Sequence, residues 1–268
     1  MRLFGLIGYP LSHSFSEKHF KEKFLKEQIS DAEYRIFPLQ SLDEFPGLIE
    51  SRPDLAGLNV TIPYKEKIIP FLDEMDETAA LVGAVNCIQF TRSGPTMETS
   101  GNKTRLRLKG YNTDVYGFAQ SIKPFLEQHH QRALVLGTGG ASKAVAYVLK
   151  QLGIEFYKVS RQPEKKSTRP GSSVIGYGDL NRSVIESFPL IINTTPLGTF
   201  PDIQQSPDIP YEYLGPGHFL YDLVYNPEET IFLKKGKEKG AMVMNGSDML
   251  KLQADKAWKI FNIREWLL

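Results

Sequence analysis

Two ionisable side chains in the sequence, a lysine and an aspartate, lie at the ends of predicted elements, where they could contribute to a polar site. Lys65 follows a predicted strand in which Asn59 and Thr61 share one face. Pro63 ends that strand, so Lys65 lies just beyond its end, where open α/β sheets place ligands. Asp114 opens a predicted helix. Lys65 could therefore face a ligand, although a surface lysine is its structural alternative and a helix N-cap is the structural role expected of Asp114.

A glycine-rich turn follows the apolar strand Ala133–Leu136 and precedes a predicted helix. The turn and the start of the helix read Gly137, Thr138, Gly139, Gly140, Ala141 and Ser142. Such glycines permit a tight turn and a close approach of backbone to pyrophosphate, and the helix directs its free N–H groups at the phosphates. Ser142 replaces the usual third glycine, so an ordinary strand–helix turn remains the alternative.

The next predicted strand ends in residues that distinguish between nucleotide cofactors. An acidic residue here would bind the adenine ribose 2′-hydroxyl of NAD. This sequence has Ser160 and Arg161 instead, followed by Lys165 and Lys166. Because a guanidinium can hold a 2′-phosphate through a planar fork, the sequence favours NADP over NAD. A solvated, lysine-rich loop is the alternative.

Composition narrows the class of protein. The chain has 268 residues, a formal net charge of +1, five histidines and one cysteine. The near-zero charge predicts no nucleic-acid or membrane partner, and the single Cys87 excludes an internal disulfide and a cysteine-based zinc cluster. The histidines lack metal-site spacing, so we expect no metal. The sequence shows no leader pattern and no long apolar run, which favours a cytoplasmic protein.

The order of predicted elements indicates an α/β fold with parallel sheets. The predicted strands are 2–8, 33–39, 57–62, 84–90, 133–136, 156–159, 190–193, 219–224 and 241–244, and the main helices are 15–28, 114–128, one ending near Gly153 and 248–261. The polar stretch 91–109 is predicted to be a long hairpin or an exposed loop. The last helix is expected to pack back onto the first domain.

Two further polar sites accompany these elements. Ser14 and Ser16 open the first helix and could hold a carboxylate, although Ser14 with Glu17 also fits a capping box. Asn86 lies in an apolar segment, where burial costs free energy unless its amide is hydrogen-bonded.

The chain resembles the shikimate dehydrogenase family over nearly its whole length. The motifs that carry the resemblance are Ser14-Phe-Ser16, Asn59-Val-Thr61-Ile-Pro-Tyr-Lys65, Gly83-Ala-Val-Asn86, Asn112-Thr-Asp114, the glycine turn, Asn193-Thr-Thr-Pro-Leu-Gly198, Asp222-Leu-Val-Tyr225-Asn-Pro227 and Gly246-Ser-Asp-Met249-Leu250-Lys-Leu-Gln253. The resemblance implies reversible reduction of 3-dehydroshikimate to shikimate by NADPH, in aromatic amino-acid (chorismate) biosynthesis.

The resemblance also implies a role for each matching residue. Lys65 and Asp114 would form the catalytic pair. The substrate would be bound by Ser14, Ser16, Asn59, Thr61, Asn86, Tyr225 and Gln253. The cofactor would be bound by Gly137, Thr138, Gly139, Gly140, Ala141, Ser160, Arg161, Asn193, Thr194, Gly246 and Met249.

The expected architecture is an N-terminal α/β substrate domain (1–113 plus 247–268) and a Rossmann-type NADP-binding domain (114–246), with the C-terminal helix returning to the first domain. Partners are expected to be small molecules only, in a monomer or a homodimer. Glu17, Cys87 and the polar insertion 91–107 depart from the usual family pattern, and no role is assigned to them.

Other functions remain open at this point. A quinate/shikimate dehydrogenase able to use NAD is the nearest alternative, and a nucleotide sensor without catalysis is another. Retention of both Lys65 and Asp114 argues against the sensor.

Overall fold

The computed structural model describes residues 1–11, 15–93, 105–163 and 174–263. Ser14, Lys165, Lys166 and residues 94–104 of the polar insertion therefore lie outside the described residues. The chain divides into two compact units, Met1–Thr113 with Gln253–Leu268, and Asp114–Leu252. Within the described ranges, no helix is both long and apolar enough to cross a membrane.

The first unit is built on a mixed sheet. Its strands are β1 (Arg2–Gly8), β2 (Ala32–Pro38), β3 (Leu55–Val60), β4 (Glu74–Met75), β5 (Cys87–Ser93) and β6 (Arg105–Tyr111), and its helices include α1 (Phe15–Lys26), α2 (Phe45–Ser51) and α3 (Glu77–Val82). The sheet order is β2-β1-β3-β5-β6-β4. The prediction of parallel pairing is confirmed for β1 with β2 and β3. It is wrong for β5, which pairs antiparallel with β3 and with β6.

The β5–β6 pairing shows that the two ends of the polar insertion form a hairpin, as one of the two interpretations of that stretch predicted. The strand predicted at 84–90 is displaced, because β5 runs from Cys87 to Ser93. Ala84 and Val85 are fully buried but precede the strand. Apolar character alone therefore misplaced its start.

The second unit contains a parallel sheet. Its elements are α4 (Thr113–Ile122), β7 (Arg132–Leu136), α5 (Gly140–Gln151), β8 (Glu155–Ser160), β9 (Val174–Gly176), α6 (Arg182–Ser187), β10 (Leu190–Asn193), β11 (Phe219–Asp222), α7 (Ile231–Glu238), β12 (Met242–Met244) and α8 (Ser247–Phe261), of which α4 and α8 cross the unit boundaries. The sheet order is β12-β11-β10-β7-β8-β9, and each pairing is parallel. This is the doubly wound order of dinucleotide-binding domains, with the reversal between β7 and β10.

Burial on both faces explains why the central strands of the second unit are continuous apolar runs. Ala133 and Val135 of β7 pack into one hydrophobic cluster, whereas Leu134 and Leu136 pack into another. Side chains alternate between the faces of a strand, so a strand covered on both faces must be apolar throughout.

The helix predicted at 114–128 is shorter in the structure, because α4 ends at Ile122 and a 3₁₀ turn containing Pro124 follows.

The end of α8 completes the core of the first unit, which confirms the predicted return of the last helix. Ala257 and Phe261 share a buried cluster with Phe4 of β1, and the rings of Phe4 and Phe261 stack with centroids 5.0 Å apart. A Cβ atom on Gly57 would lie 2.4 Å from the Phe261 ring, so β3 needs glycine there. Gln89 Nε2 donates to the carbonyl of Ile260 at 3.0 Å.

Candidate active site

Two buried asparagines form the centre of the candidate substrate site in the first unit. Asn59, near the end of β3, and Asn86, just before β5, are 5% and 3% exposed. Asn59 Nδ2 donates to the Asn86 carbonyl at 3.3 Å, and the same carbonyl accepts from the Val60 amide at 2.9 Å. The antiparallel pairing of β3 with β5 places these residues side by side.

Thr113 joins Asn86 to Gln253. The Thr113 amide donates to Asn86 Oδ1 at 2.7 Å, and Asn86 Nδ2 donates to Thr113 Oγ1 at 3.0 Å. Gln253 Oε1 accepts from Thr113 Oγ1 at 3.2 Å and from Asn86 Nδ2 at 3.4 Å. The expectation that the Asn86 amide must be bonded is confirmed, and these bonds satisfy polar groups whose burial would otherwise cost free energy.

Ser16 joins the same network through Tyr34, a residue that the sequence did not single out. The Tyr34 hydroxyl donates to Asn59 Oδ1 at 2.9 Å and is hydrogen-bonded by the Ser16 side chain. Burial raises the pKa of Tyr34 well above its ordinary value, so the hydroxyl keeps its proton. Four of the predicted substrate residues, Ser16, Asn59, Asn86 and Gln253, are thus linked within the first unit.

The segment after β3 fixes Lys65 through its backbone and through its neighbour. The Lys65 carbonyl accepts from the Val85 amide at 2.7 Å. Tyr64 is buried, and its hydroxyl donates to the Leu39 carbonyl at 2.6 Å. The Lys65 side chain is half-buried rather than on the open surface. These contacts fix the backbone of Lys65, from which its flexible side chain extends.

Thr61 lies in the same segment, just beyond β3. Its amide donates to the Ile7 carbonyl at 2.9 Å, which continues the pairing of β3 with β1. A Cβ atom at Gly8 would lie 2.4 Å from the Thr61 methyl group, so glycine at position 8 makes room for this side chain. The strand was predicted to run to Ile62, but β3 ends at Val60, and Ile62 is 64% exposed.

Asp114 opens the second unit, in the first turn of α4. It is 5% exposed, which is uncommon for a carboxylate and calls for bonding partners. The helix N-terminus favours the negative charge. Its pairing with Lys65 stays a prediction.

The glycine turn of the second unit has the features that a bound pyrophosphate requires. Gly137 has φ +112°, and a Cβ atom there would lie 2.7 Å from Thr194 Oγ1. Gly139 is the N-cap of α5 without a side-chain cap, and a Cβ atom there would meet no protein atom within 4 Å. Ser142 fits in place of the third glycine because its hydroxyl bonds the Gly139 carbonyl at 2.7 Å.

Asn193 ends β10, and Thr194 follows it beside this turn. Both the Thr194 amide and its hydroxyl donate to the Leu136 carbonyl, at 2.9 and 2.7 Å. Asn193 is fully buried, and its Nδ2 donates to Asp222 Oδ1 at 2.9 Å. The glycine turn and the loop after β10 therefore lie next to each other at the carboxyl ends of the strands of the second sheet.

Asp222 is a second residue to which the sequence assigned no role. Its carboxylate is fully buried at the end of β11. Besides Asn193, it accepts from the Val224 amide at 3.0 Å and from Thr230 Oγ1 at 2.6 Å. Burial raises the pKa of Asp222 to about 6, and these hydrogen bonds oppose the rise. Asp222 thus ties together the loops that follow β10 and β11.

The remaining predicted cofactor residues lie at the ends of other strands in the second unit. Ser160 ends β8 and is buried, and its hydroxyl accepts from the Gln162 amide at 3.1 Å. Arg161 follows it and is exposed, as a residue reaching for a phosphate would be. Gly246 leaves no room for a side chain, since a Cβ atom would lie 2.2 Å from the Leu223 carbonyl.

Met249 and Tyr225 complete the residues that were predicted from the sequence. Met249, in α8, is 7% exposed and packs into a hydrophobic cluster of the second unit. Tyr225 is half-buried in the loop after β11, and burial raises its pKa. Ser14 cannot be placed, because it lies outside the described residues.

Groups of three or more His, Cys, Asp or Glu side chains that could hold a metal ion are absent from the described ranges. The polar groups that are linked in the first unit are amides and hydroxyls. Such a set matches a ligand rich in hydroxyl groups.

Comparisons with known proteins agree with these features. Residues 6–88 match the model of the shikimate dehydrogenase substrate binding domain. The NADP(+) shikimate dehydrogenase of Carboxydothermus hydrogenoformans is 37% identical over 270 residues, which cover 96% of this chain and 90% of the relative. A chorismate mutase/shikimate 5-dehydrogenase fusion protein from Clostridium acetobutylicum has a similar structure, with a TM-score of 0.84, 34% identity and coverage of 99% of this chain and 93% of that one.

A third similar structure is shikimate 5-dehydrogenase from Thermus thermophilus in complex with NADP(H) and shikimate, with a TM-score of 0.80, 30% identity and coverage of 98% of this chain and 94% of that one. The reversed parallel sheet and its open glycine turn define a dinucleotide-binding dehydrogenase with a separate α/β unit. Within that class, the chain belongs to the shikimate dehydrogenase family, which confirms the resemblance found in the sequence.

Proposed function

We propose that the chain is an NADP-dependent shikimate dehydrogenase, an oxidoreductase that interconverts 3-dehydroshikimate and shikimate in aromatic amino-acid biosynthesis. The observation that carries the proposal is the buried network of Asn59, Asn86, Thr113 and Gln253. Its uncharged donors and acceptors suit a ring carrying several hydroxyls. The relatives with this name, 33–38% identical over most of the chain, support the same substrate.

The second unit supports NADP as the cofactor. The pyrophosphate would be held at the uncapped start of α5, by backbone N–H groups that Gly139 leaves accessible. Ser160 and Arg161, which stand where an acidic residue would favour NAD, suit the 2′-phosphate. When bound there, NADPH would supply the hydride for the ketone carbon. Asn193, Thr194, Gly246 and Met249 would line the remainder of the cofactor site.

The chain's own residues supply the proton. Reduction of a ketone leaves an alkoxide, which must be protonated. Lys65 donates this proton and takes it back in the reverse direction, while Asp114 accepts a hydrogen bond from the same hydroxyl and orients it. Ser14 and Ser16 would bind the substrate carboxylate through their hydroxyls, with Tyr225 near that end, and Thr61 would bond a ring hydroxyl.

We place the enzyme in the cytoplasm, since its one cysteine, Cys87, is buried and free. Monomer or homodimer stays a prediction.

The decisive experiment measures steady-state rates with shikimate and with quinate, each with NADP and with NAD. We expect the highest kcat/KM with shikimate and NADP. A preference for quinate with NAD would instead support the alternative, a quinate/shikimate dehydrogenase. Absence of turnover with all four combinations, in a protein shown to be folded, would contradict both and leave a nucleotide-binding protein without this chemistry.

A further inference from the structure

Tyr34 is a buried tyrosine whose hydroxyl lies within the substrate network. It stands in β2, is 1% exposed, and its ring stacks on that of Phe20 with centroids 4.3 Å apart. Its hydroxyl donates to Asn59 Oδ1 at 2.9 Å. The ring packing accounts for an aromatic residue at this position. It does not account for the hydroxyl, which a phenylalanine would lack.

The hydroxyl determines how the Asn59 carboxamide is oriented. A tyrosine hydroxyl has one proton, and here it is donated to Asn59 Oδ1. The other end of the carboxamide, Nδ2, donates to the Asn86 carbonyl, which can only accept. Rotating the amide by 180° would set two carbonyl oxygens against each other.

These two bonds leave part of the Asn59 carboxamide available for a ligand. One Nδ2 hydrogen and one Oδ1 lone pair remain after the contacts with Tyr34 and Asn86. Their positions are fixed before any ligand arrives, so binding does not have to order this side chain. A hydroxyl group, which can both donate and accept, is the matching ligand group.

We propose that Tyr34 is a positioning residue for the substrate: its hydroxyl holds the Asn59 carboxamide in the one orientation that receives a substrate hydroxyl. This rests on the proposed function, because the substrate used to test it is shikimate. Tyr34 itself need not touch the substrate.

The test compares two matched substitutions, Tyr34→Phe and Tyr221→Phe. Tyr221 is also fully buried, and its hydroxyl is hydrogen-bonded at 2.7 Å to Ser121, a residue outside the candidate site. Both changes remove one buried hydroxyl. For Tyr34→Phe we expect the KM for shikimate to rise about tenfold, with kcat within about threefold and the KM for NADP unchanged.

Tyr221→Phe should lower stability without moving the KM for shikimate. The proposal is overturned if Tyr34→Phe keeps a KM within about twofold of wild type, or if the two variants change alike. If the Tyr34 hydroxyl were purely structural, its loss would lower the melting temperature and leave the ratio of the KM for shikimate to the KM for NADP unchanged.

A double-mutant cycle tests whether Tyr34 acts through Asn59. Once Asn59→Ala has been made, adding Tyr34→Phe should raise the KM for shikimate by less than about twofold further. A full tenfold rise in that background would show a different route and would contradict the proposed one.

A measurement on the wild-type protein tests the proposal in two cases where the kinetic comparison cannot. If Tyr34→Phe does not fold, or if the wild type does not oxidise shikimate, NMR of the Asn59 side-chain amide without ligand still decides the point. We expect its two protons to be resolved and protected from hydrogen exchange. Rapid exchange would overturn the positioning role, whereas an inactive wild type with a protected amide would count against the proposed function alone.

Discussion

At the scale of single residues, the candidate site depends on polar side chains that are buried or half-buried. Lys65 is the one that the proposed reaction needs most directly, since an ammonium supplies the proton and most other donors nearby are amides. Its backbone is fixed by the bond from Val85, and its neighbour Tyr64 is anchored to Leu39. The loop can therefore tolerate loss of the Lys65 side chain without losing its position.

We expect Lys65→Ala to lower kcat by at least ~100-fold, because general acid–base catalysis contributes factors of this size. Binding of NADPH, followed by fluorescence titration, should stay the same. Lys67→Ala is the matched control, since Lys67 is exposed two residues further on. Near-wild-type turnover of Lys65→Ala would remove Lys65 from the mechanism.

Asp222 makes stability depend on pH in a definite direction. Its pKa of about 6 in the folded protein lies above the ordinary value of 3.8. The folded state therefore binds this proton more tightly than the unfolded state does. The resulting stabilisation is fully present below pH 4 and is lost as pH rises through 6.

The variant Asp222→Asn cannot titrate at this position. The free energy of unfolding of the wild type, minus that of the variant, should fall by about 2 to 3 kcal/mol between pH 4 and pH 7. Urea unfolding of both proteins at several pH values measures this difference. A difference that stays constant, or grows with pH, would show that Asp222 does not have the raised pKa.

At the scale of elements, two glycines of the same turn are required for different reasons, one by the fold and one by the ligand. Gly137 is needed by the fold, because its φ of +112° and its closeness to Thr194 both exclude a side chain. Gly139 has a negative φ and open space around its missing Cβ. Its requirement would come from the ligand.

Two alanine substitutions distinguish these requirements. Gly137→Ala should lower the free energy of unfolding by about 1 to 3 kcal/mol, through backbone strain and contact with Thr194. Gly139→Ala should change it by less than ~0.5 kcal/mol and yet raise the KM for NADP roughly tenfold, because a methyl group would stand where the pyrophosphate approaches. Chemical denaturation and cofactor titration measure both, and equal effects of the two variants on stability would contradict this division.

The sequence predicted those elements best whose apolar residues begin and end together. The bounds of β1 and β10 are as predicted, because each is an apolar run that is buried nearly throughout. The start of β5 was missed because Ala84 and Val85 are buried outside any strand. Apolar pattern reports burial, and burial is not limited to regular structure.

The candidate site shows the same limit for polar residues. The need to bond Asn86 could be predicted from its apolar surroundings, but its partner Thr113 could not be named. Tyr34 and Asn59 are 25 residues apart and meet because β2 and β3 both flank β1. No local pattern contains that adjacency. The catalytic roles of Lys65 and Asp114 came from the family resemblance and remain to be tested by experiment.

At the scale of the whole molecule, each unit has hydrophobic clusters of its own. Those of the second unit surround both faces of its parallel sheet. In the first unit, one cluster packs α1 and the end of α8 against β1. Ala257 is fully buried in that cluster, whereas Lys259 on the same helix is exposed.

A charge placed at Ala257 should therefore weaken one unit selectively. We expect Ala257→Asp to abolish hydrogen-exchange protection of amides in β1 and β3, because it buries an unpaired carboxylate among apolar side chains. Amides of β7 and β10 should keep their protection. Lys259→Asp is the control and should cost less than ~1 kcal/mol. Equal loss of protection in both sheets after Ala257→Asp would mean that the units unfold as one.

The packing of the end of α8 against β1 and α1 also affects synthesis by the ribosome. The residues of α8 in this cluster are Ala254, Ala257, Ile260 and Phe261. The apolar surface around Phe4 and Phe20 emerges early, but the helix that covers it is translated only after the entire second unit. The nascent chain must therefore carry this uncovered surface while the nucleotide-binding sheet is being made, in a period when chaperones have access to it. The domain whose translation begins first is the one whose folding is completed last.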